Sequence, residues 1–260
     1  KKIVATNKID FLNIIKGHID TDASLTKVIP IQGMRSSPHL DFAGEIREQT
    51  KFPVFHAAKI NDVATARHAI SSGKLDMVGM TRAHIADPHI VKKIIENKED
   101  SIRPCVGATY CLDRIYEGNE ALCIHNPATG REKSMPHEIK RKSNNKKKIV
   151  VVGAGPAGLE AARVCSEIGH DVVVFEATNE PGGQINLIVR SNRRKDMIGI
   201  IDWRIDQCNK TNVKFHFNTL ANKKNILSEK PEIIIIATGG MPNQSNLEEG
   251  SNLACSTWDI

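Results

Sequence analysis

The sequence predicts an α/β protein with parallel strands, organised in two parts. Three observations predict it. Before residue 102, short apolar runs alternate with stretches of helical spacing. Near residue 150, an apolar strand runs into Gly-x-Gly-x-x-Gly and a helix of small residues. Between the two lies a basic stretch with the composition of a linker. The chain of 260 residues has room for one large domain or two smaller ones, and 40% hydrophobic with 25% charged residues excludes disorder and collagen.

In the first part, residues 9–15 form a short apolar run and residues 40–50 have helical spacing at Leu40, Phe42, Ala43 and Ile46. A strand follows at 52–56, then a helix over 62–72 bearing Val63, Ala66, Ala69 and Ile70, and a strand at 75–80. Asp87-Pro88, an N-cap residue before proline, predicts the start of a helix through Ile90, Val91, Ile94 and Ile95. This βαβαβα order implies a parallel sheet. Three such units cannot close a barrel, and a bare sheet edge is a liability, so the first part is expected to belong to something larger. The chain begins at Lys1 without methionine, and residues 256–260 carry no helix stop signal. A fragment, truncated at both ends and inactive alone, is the expectation.

The net charge of +6 is concentrated. Residues 131–148 hold eight basic and two acidic side chains, so the remainder is balanced. With Pro136, Ser143, Asn144 and Asn145 and no aromatic residues interleaved, this run reads as a solvated linker, and no nucleic-acid partner is expected. No run approaches the roughly 18 to 20 apolar residues of a membrane helix, and no signal-peptide core follows the N-terminus, so a cytoplasmic protein without a membrane span is expected.

The second part opens with the strand Lys148 to Val152, then Gly153-Ala154-Gly155-Pro156-Ala157-Gly158. Gly153 permits the tight turn, Gly155 lets backbone approach a pyrophosphate, and Gly158 lets helix pack on strand, while the helix N-terminus offers free N–H groups. A second strand at 171–175 ends in Glu176, 18 positions after Gly158, where a carboxylate accepts hydrogen bonds from an adenosine ribose. Pro181-Gly182-Gly183-Gln184 is a loop, and residues 233–240, Ile-Ile-Ile-Ile-Ala-Thr-Gly-Gly, are a buried strand ending in glycines. With these motifs, residues 147 to about 245 resemble the two-dinucleotide flavoproteins that include the disulfide reductases. The resemblance implies an ADP moiety, that of FAD, held by Gly153, Gly155, Pro156, Ala157, Gly158, Glu176, Gln184 and Gly239.

Cys105, Cys111 and Cys123 are clustered, whereas Cys165, Cys208 and Cys255 are scattered. By spacing alone, three readings stand side by side: an iron-sulfur centre, a Cys3His zinc site completed by His125, and unligated thiols. The order of barrel half, cysteine segment, Asn126-Pro127-Ala128-Thr129-Gly130-Arg131-Glu132, basic linker and glycine motif resembles the iron-sulfur branch of the Old Yellow Enzyme flavoproteins, which contains 2,4-dienoyl-CoA reductase and trimethylamine dehydrogenase. Arg103-Pro104-Cys105-Val106-Gly107-Ala108-Thr109-Tyr110-Cys111 resembles in particular its N-methylproline (stachydrine pathway) and dimethylglycine demethylases.

That resemblance implies the C-terminal part of an FMN-binding TIM (β/α)8 barrel over 1–102, an iron-sulfur segment over 103–132, a basic linker over 133–146 and a Rossmann-like FAD/NAD(P)-binding domain over 147–260. It implies a [4Fe-4S] cluster on Cys105, Cys111 and Cys123. The family has a fourth cysteine where Ala108 stands, so the fourth position falls to water, backbone, His125 or Asp113, or the cluster is [3Fe-4S]. Taking 54–56 and 77–80 as strands seven and eight, the flavin phosphate falls to Ala57, Ala58 and Lys59 and to Thr81 and Arg82, with Arg82 as a fork and Lys59 as a point charge. The family has glycines at 57 and 58 and Gly-Arg at 81–82. The loop bearing His18 and Asp20 lies at the barrel mouth, where turn and capping roles compete with contact to substrate. No catalytic residue is named.

The expected activity is oxidative N-demethylation of a small N-methylated amine such as N-methylproline. Electrons pass from FMN through the cluster to an acceptor protein or NAD(P), in a homo-oligomer when full-length. The alternatives are an NADPH-dependent dienoyl-CoA reductase and a non-catalytic dinucleotide-binding module with structural zinc.

Overall fold

The computed structural model describes residues 2–140, 145–243, 249–250, 253–256 and 258. Residues 141–144 of the expected linker, and 257, 259 and 260 of the terminal segment, lie outside the described residues. The chain divides into two units, Lys1–Glu138 with Asn192–Trp203, and Ile139–Ser191 with Arg204–Ile260. No sequence signal marks Asn192–Trp203 as part of the first unit.

In the first unit, β1 (Leu12–Ile14), α1 (Asp22–Val28), α2 (Leu40–Glu48), β2 (Val54–Ala57), α3 (Val63–Ser71), β3 (Met77–Gly79), α4 (Thr81–Ala86), α5 (Ile90–Ile95) and α6 (Tyr110–Tyr116) follow in order. The strands form a parallel sheet ordered β1-β2-β3, with Leu12 opposite Val54 and Ala57 opposite Gly79. Its core is Leu40, Ala43, Val54, Ile60, Ala69 and Leu75, so α2 and α3 cover the sheet with the small and apolar residues of their inner faces. Asp62 caps α3 by accepting from Thr65 N at 2.7 Å, and Thr21 caps α1.

Three details differ from the pattern reading. The helix expected from Asp87-Pro88 begins at Ile90, because Asp87 closes α4 and its buried carboxylate accepts from His89 N and Arg103 N and pairs with Lys93. Of the apolar residues assigned to that helix, Ile90 is buried while Val91 and Ile95 are exposed. The short helices α1, α4 and α6 carry too few turns for periodicity to register.

Asp76 ties the sheet together. Its carboxylate takes a fork from Arg47, Nε at 2.6 Å and Nη2 at 3.1 Å, and accepts from Val54 N at 2.8 Å. The Arg47 hydrogen bond, helped by that N–H, holds the Asp76 carboxyl below its ordinary value. A group depressed in the folded state stabilises fully above its unfolded pKa, and the contribution is lost as pH falls through the folded one. Asp76→Asn is expected to cost about 1 kcal/mol at pH 7, given the pair's partial exposure. Urea unfolding checks this: the gap between variant and wild type closes as pH drops below the carboxylate range.

In the second unit, β4 (Lys148–Val152), α7 (Pro156–Ile168), β5 (Asp171–Phe175), α8 (Gln184–Ile188), β6 (Lys214–His216), α10 (Lys223–Ser228) and β7 (Ile233–Ile236) form an α/β arrangement; α9 (Gly199–Lys210) precedes β6. The sheet is wholly parallel, ordered β6-β5-β4-β7. Val150, Val173 and Phe175 form its core, as expected of inner strands. The run of isoleucines in β7 reads as a buried strand, but it lies at a sheet edge with Ile234 and Ile236 exposed. Among the described residues no helix is long and apolar enough to cross a membrane.

Candidate functional site

The C-terminal ends of β2 and β3 lie side by side, and the chain leaving each bends around a cavity of about 210 Å³. Ala57, Ala58, Lys59, Thr81 and Arg82 all line it, together with Pro30 and Leu112. Gly79 is required here because a Cβ on it would stand 2.7 Å from Ala57 Cβ.

The two cations differ. Lys59 is buried, with φ of +52°, and its ammonium donates to Met34 O and pairs with Asp196 at 3.1 Å. Arg82 donates through Nη2 to Pro30 O at 2.7 Å, while its Nη1 is buried without a hydrogen-bond partner among the described residues. A buried N–H left unmatched is costly, and an anion entering the cavity removes that cost. The donor set therefore fits a phosphate-bearing cofactor, with Arg82 the stronger donor and Lys59 already neutralised by its carboxylate. His18 and Asp20 are exposed and bond to one another, and Thr21 caps α1, so this loop shows turn and capping geometry.

Cys111 is buried in the first turn of α6, and Cys105 and Cys123 are half-buried. Burial pushes the Cys105 and Cys111 thiols up. The Gly107 N–H and the Arg82 guanidinium oppose this at Cys105, Arg82 and the Leu112 N–H oppose it at Cys111, and Cys123 adds to the upward push on both. The backbone that presents them is left-handed at Gly107 and Thr109, with φ of +69° and +60°. His125 N donates to Cys123 Sγ at 3.4 Å.

Three thiols within each other's electrostatic reach, with N–H donors to sulfur and a nearby guanidinium, fit an iron-sulfur centre. Among the described residues no group of three or more His, Cys, Asp or Glu side chains is placed to hold a metal ion, so neither the Cys3His set with His125 nor the three cysteines alone converge on a single metal atom; a cluster, which presents a separate iron to each thiolate, asks for less convergence than zinc does. His125 is wholly buried, Nδ1 against Pro104 O at 2.9 Å and its ring edge-on to Trp203, whereas Asp113 is exposed on α6. Trp203 has no sequence signal, yet it anchors this segment: Arg103 stacks on its ring at 4.3 Å and its Nε1 donates to Ser101 O.

In the second unit, the turn after β4 has Gly153 at φ of +102°, its N–H on Phe175 O. A Cβ on Gly158 would fall 1.9 Å from Gly153 O, so only glycine lets α7 approach β4 this closely. Gly155 caps α7 with open space where its Cβ would be, and Pro156 and Ala157 form the first turn. Gly182 N donates to Ala154 O at 2.9 Å, bringing the glycine loop against the turn. The Glu176 carboxylate accepts from Ala154 N at 2.7 Å and from Thr178 N and Oγ1, both at 2.9 Å. Gln184 donates to Gly240 O at 3.3 Å, beside Gly239 at φ of +72°. An open helix N-terminus with a carboxylate braced beside it fits the pyrophosphate and ribose of an ADP moiety.

Residues 116–259, more than half of the chain, match the model of the pyridine nucleotide-disulphide oxidoreductase family. The chain belongs to that family. As a pyridine nucleotide-disulphide oxidoreductase it is 65% identical, over its whole length, to a "Probable N-methylproline demethylase" of Rhizobium meliloti (strain 1021), of which it covers 38%. It is 47% identical over 92% of its length to a "Multifunctional alkene reductase/demethylase OYE" of Caballeronia cordobensis, covering 35% of that protein. Among solved structures, histamine dehydrogenase from Rhizobium sp. 4-9 matches with a TM-score of 0.83 at 26% identity, over 95% of this chain and 36% of that one. The chain thus spans little more than a third of the proteins it resembles, and the resemblance read from its motifs agrees with these relatives.

Proposed function

We propose that the chain belongs to a flavin- and iron-sulfur-dependent enzyme that oxidatively demethylates a small N-methylated amine such as N-methylproline. The observation that carries this reading is the 65% identity to the Rhizobium meliloti relative over the whole chain. FMN held at the cavity would supply a two-electron acceptor for the hydride equivalent of the methyl carbon, and a cluster held by Cys105, Cys111 and Cys123 would supply one-electron transfer to an acceptor protein or NAD(P).

The residues of this chain hold and orient. Arg82, with backbone at Ala57, Ala58 and Thr81, takes the flavin phosphate, the parallel sheet of 1–102 being the last strands of a TIM barrel. Cys105, Cys111 and Cys123, in the segment 103–132, hold the cluster. Beyond the linker at 133–146, residues 147–260 bind the ADP moiety of FAD through the glycine turn, Glu176, Gln184 and Gly239.

A second reading is favoured by the alkene reductase named in the Caballeronia relative; in it, electrons would enter from NADPH and leave to an unsaturated thioester. The protein from its complete reading frame, purified anaerobically, separates the two. N-methylproline alone is expected to bleach the flavin absorbance; bleaching by NADPH alone would overturn the demethylase reading and support the reductase.

A further inference from the structure

Lys59 lines the cavity, yet its ammonium is committed to the protein itself. The side chain is only 5% exposed, and Nζ donates to Met34 O and pairs with Asp196 Oδ2 at 3.1 Å. The carbonyl of the same residue accepts from Ser37 N and from Ser36 Oγ, both at 3.1 Å. The two segments that grip the ammonium also pack on each other. A Cβ on Gly33 would stand 3.0 Å from Arg193 Cα, which brings the loop bearing Met34 against the turn Asn192–Ile198 bearing Asp196. Residue 59 needs such a grip because its φ of +52° is left-handed, a conformation costly for lysine and freely open to glycine.

We infer that Lys59 is a positioning residue and not a ligand of the cavity anion: clamped between Met34 O and Asp196, its side chain is a strut that keeps residue 59 left-handed and so shapes the main chain of residues 57–60 that receives the flavin phosphate. Asp196, 137 positions away, is the far end of that strut. The inference rests on the flavin reading above. A left-handed residue turns successive main-chain N–H groups to one side, an arrangement that receives anions without a charged side chain. An ammonium already neutralised by a carboxylate adds little to the field at an anion, whereas Arg82 keeps Nη1 buried without a partner among the described residues. Arg82 therefore supplies the charge and Lys59 the shape. Glycine at this position would adopt the same φ but leave the loop free to take others; a lysine held at its tip fixes one.

The test uses the protein from the complete reading frame, stripped of flavin by dialysis against concentrated bromide and titrated with FMN and, separately, with riboflavin, which lacks the phosphate. Quenching of flavin fluorescence reads the affinity. Lys59→Met, which keeps the stem and loses the ammonium, is expected to weaken FMN about tenfold, the scale of an unsupported left-handed residue. Lys59→Gly, which takes the same φ without a strut, is expected to weaken it by less than about threefold. Asp196→Ala is expected to weaken FMN about threefold in the wild-type background and to have no further effect in Lys59→Gly, because Asp196 acts only through Lys59. Riboflavin affinity is expected to stay constant throughout. The inference is overturned if Lys59→Gly loses as much FMN affinity as Lys59→Met, which would make the ammonium itself the phosphate ligand. Equal weakening of riboflavin and FMN also overturns it, as a general loss of structure, and so does an Asp196→Ala effect that is absent from wild type or persists in Lys59→Gly. Should Lys59→Met not fold, Lys59→Gly and the half-exposed Asp196→Ala decide by the same criteria. Wild type that binds no FMN defeats the flavin reading itself, and is thereby distinguishable from failure of this inference.

Discussion

Gly158→Ala is expected to abolish adenine nucleotide binding and to destabilise the second unit by about 3 kcal/mol, the upper range for overpacking a well-filled contact. The added methyl group would stand 1.9 Å from Gly153 O and 3.4 Å from Ala237 Cβ, so α7 must move away from β4. That movement also spoils the turn whose Gly153 N–H binds Phe175 O, and with it the approach of backbone to a pyrophosphate. Gly155→Ala provides the contrast. No atom lies within 4 Å of where its Cβ would be, and its φ of −72° suits any residue, so the fold without ligand tolerates it. The methyl group would occupy the space a pyrophosphate needs. Thermal unfolding and flavin content together check this: Gly158→Ala lowers the unligated melting temperature by roughly 10 °C and loses FAD, while Gly155→Ala loses FAD with the melting temperature unchanged. Equal FAD content in Gly155→Ala and wild type would remove the pyrophosphate from this turn.

Cys111→Ser is expected to lose the iron and the broad visible absorption while keeping FMN. Cys111 is the buried member of the cysteine set, fixed by the first turn of α6, and serine is a close fit for its volume but a poor ligand for iron. Loss of a residue that merely supports a metal ligand costs about ten- to a hundredfold, so loss of a ligand should cost at least a hundredfold in turnover with a one-electron acceptor. Bleaching of the flavin by substrate in a single turnover should persist, because serine leaves the cavity proposed for the flavin phosphate intact. Cys165→Ser is the control: that thiol lies on α7 in the second unit and is raised by burial alone. Full iron content in Cys111→Ser would remove this residue from the cluster.

The glycine turn was legible because its requirements are local. A positive φ at Gly153, a missing Cβ at Gly158 and the apolar run of β4 are properties of single residues and their neighbours, and they sit within a dozen positions of one another. The same holds for Ala57 to Lys59 and for Thr81 and Arg82. Each follows a strand that the apolar pattern marks, and parallel strands place their C-terminal ends together. Short helices and β6 escaped, since three to seven residues hold no more than two turns or one alternation.

What the sequence determined by itself is therefore which residues are candidates for the chemistry: a guanidinium and an ammonium at two strand ends, three clustered cysteines, and a carboxylate after the second Rossmann-type strand. Tertiary structure alone decided how they act. Lys59 is neutralised by Asp196, 137 positions away, while Arg82 keeps a buried N–H without a partner among the described residues. Trp203 clamps Arg103 across a hundred residues, and β7 becomes an exposed edge in spite of its isoleucines. Charge neutralisation, desolvation and edge position depend on which distant groups fold into contact, and such pairings leave no trace in local composition or period.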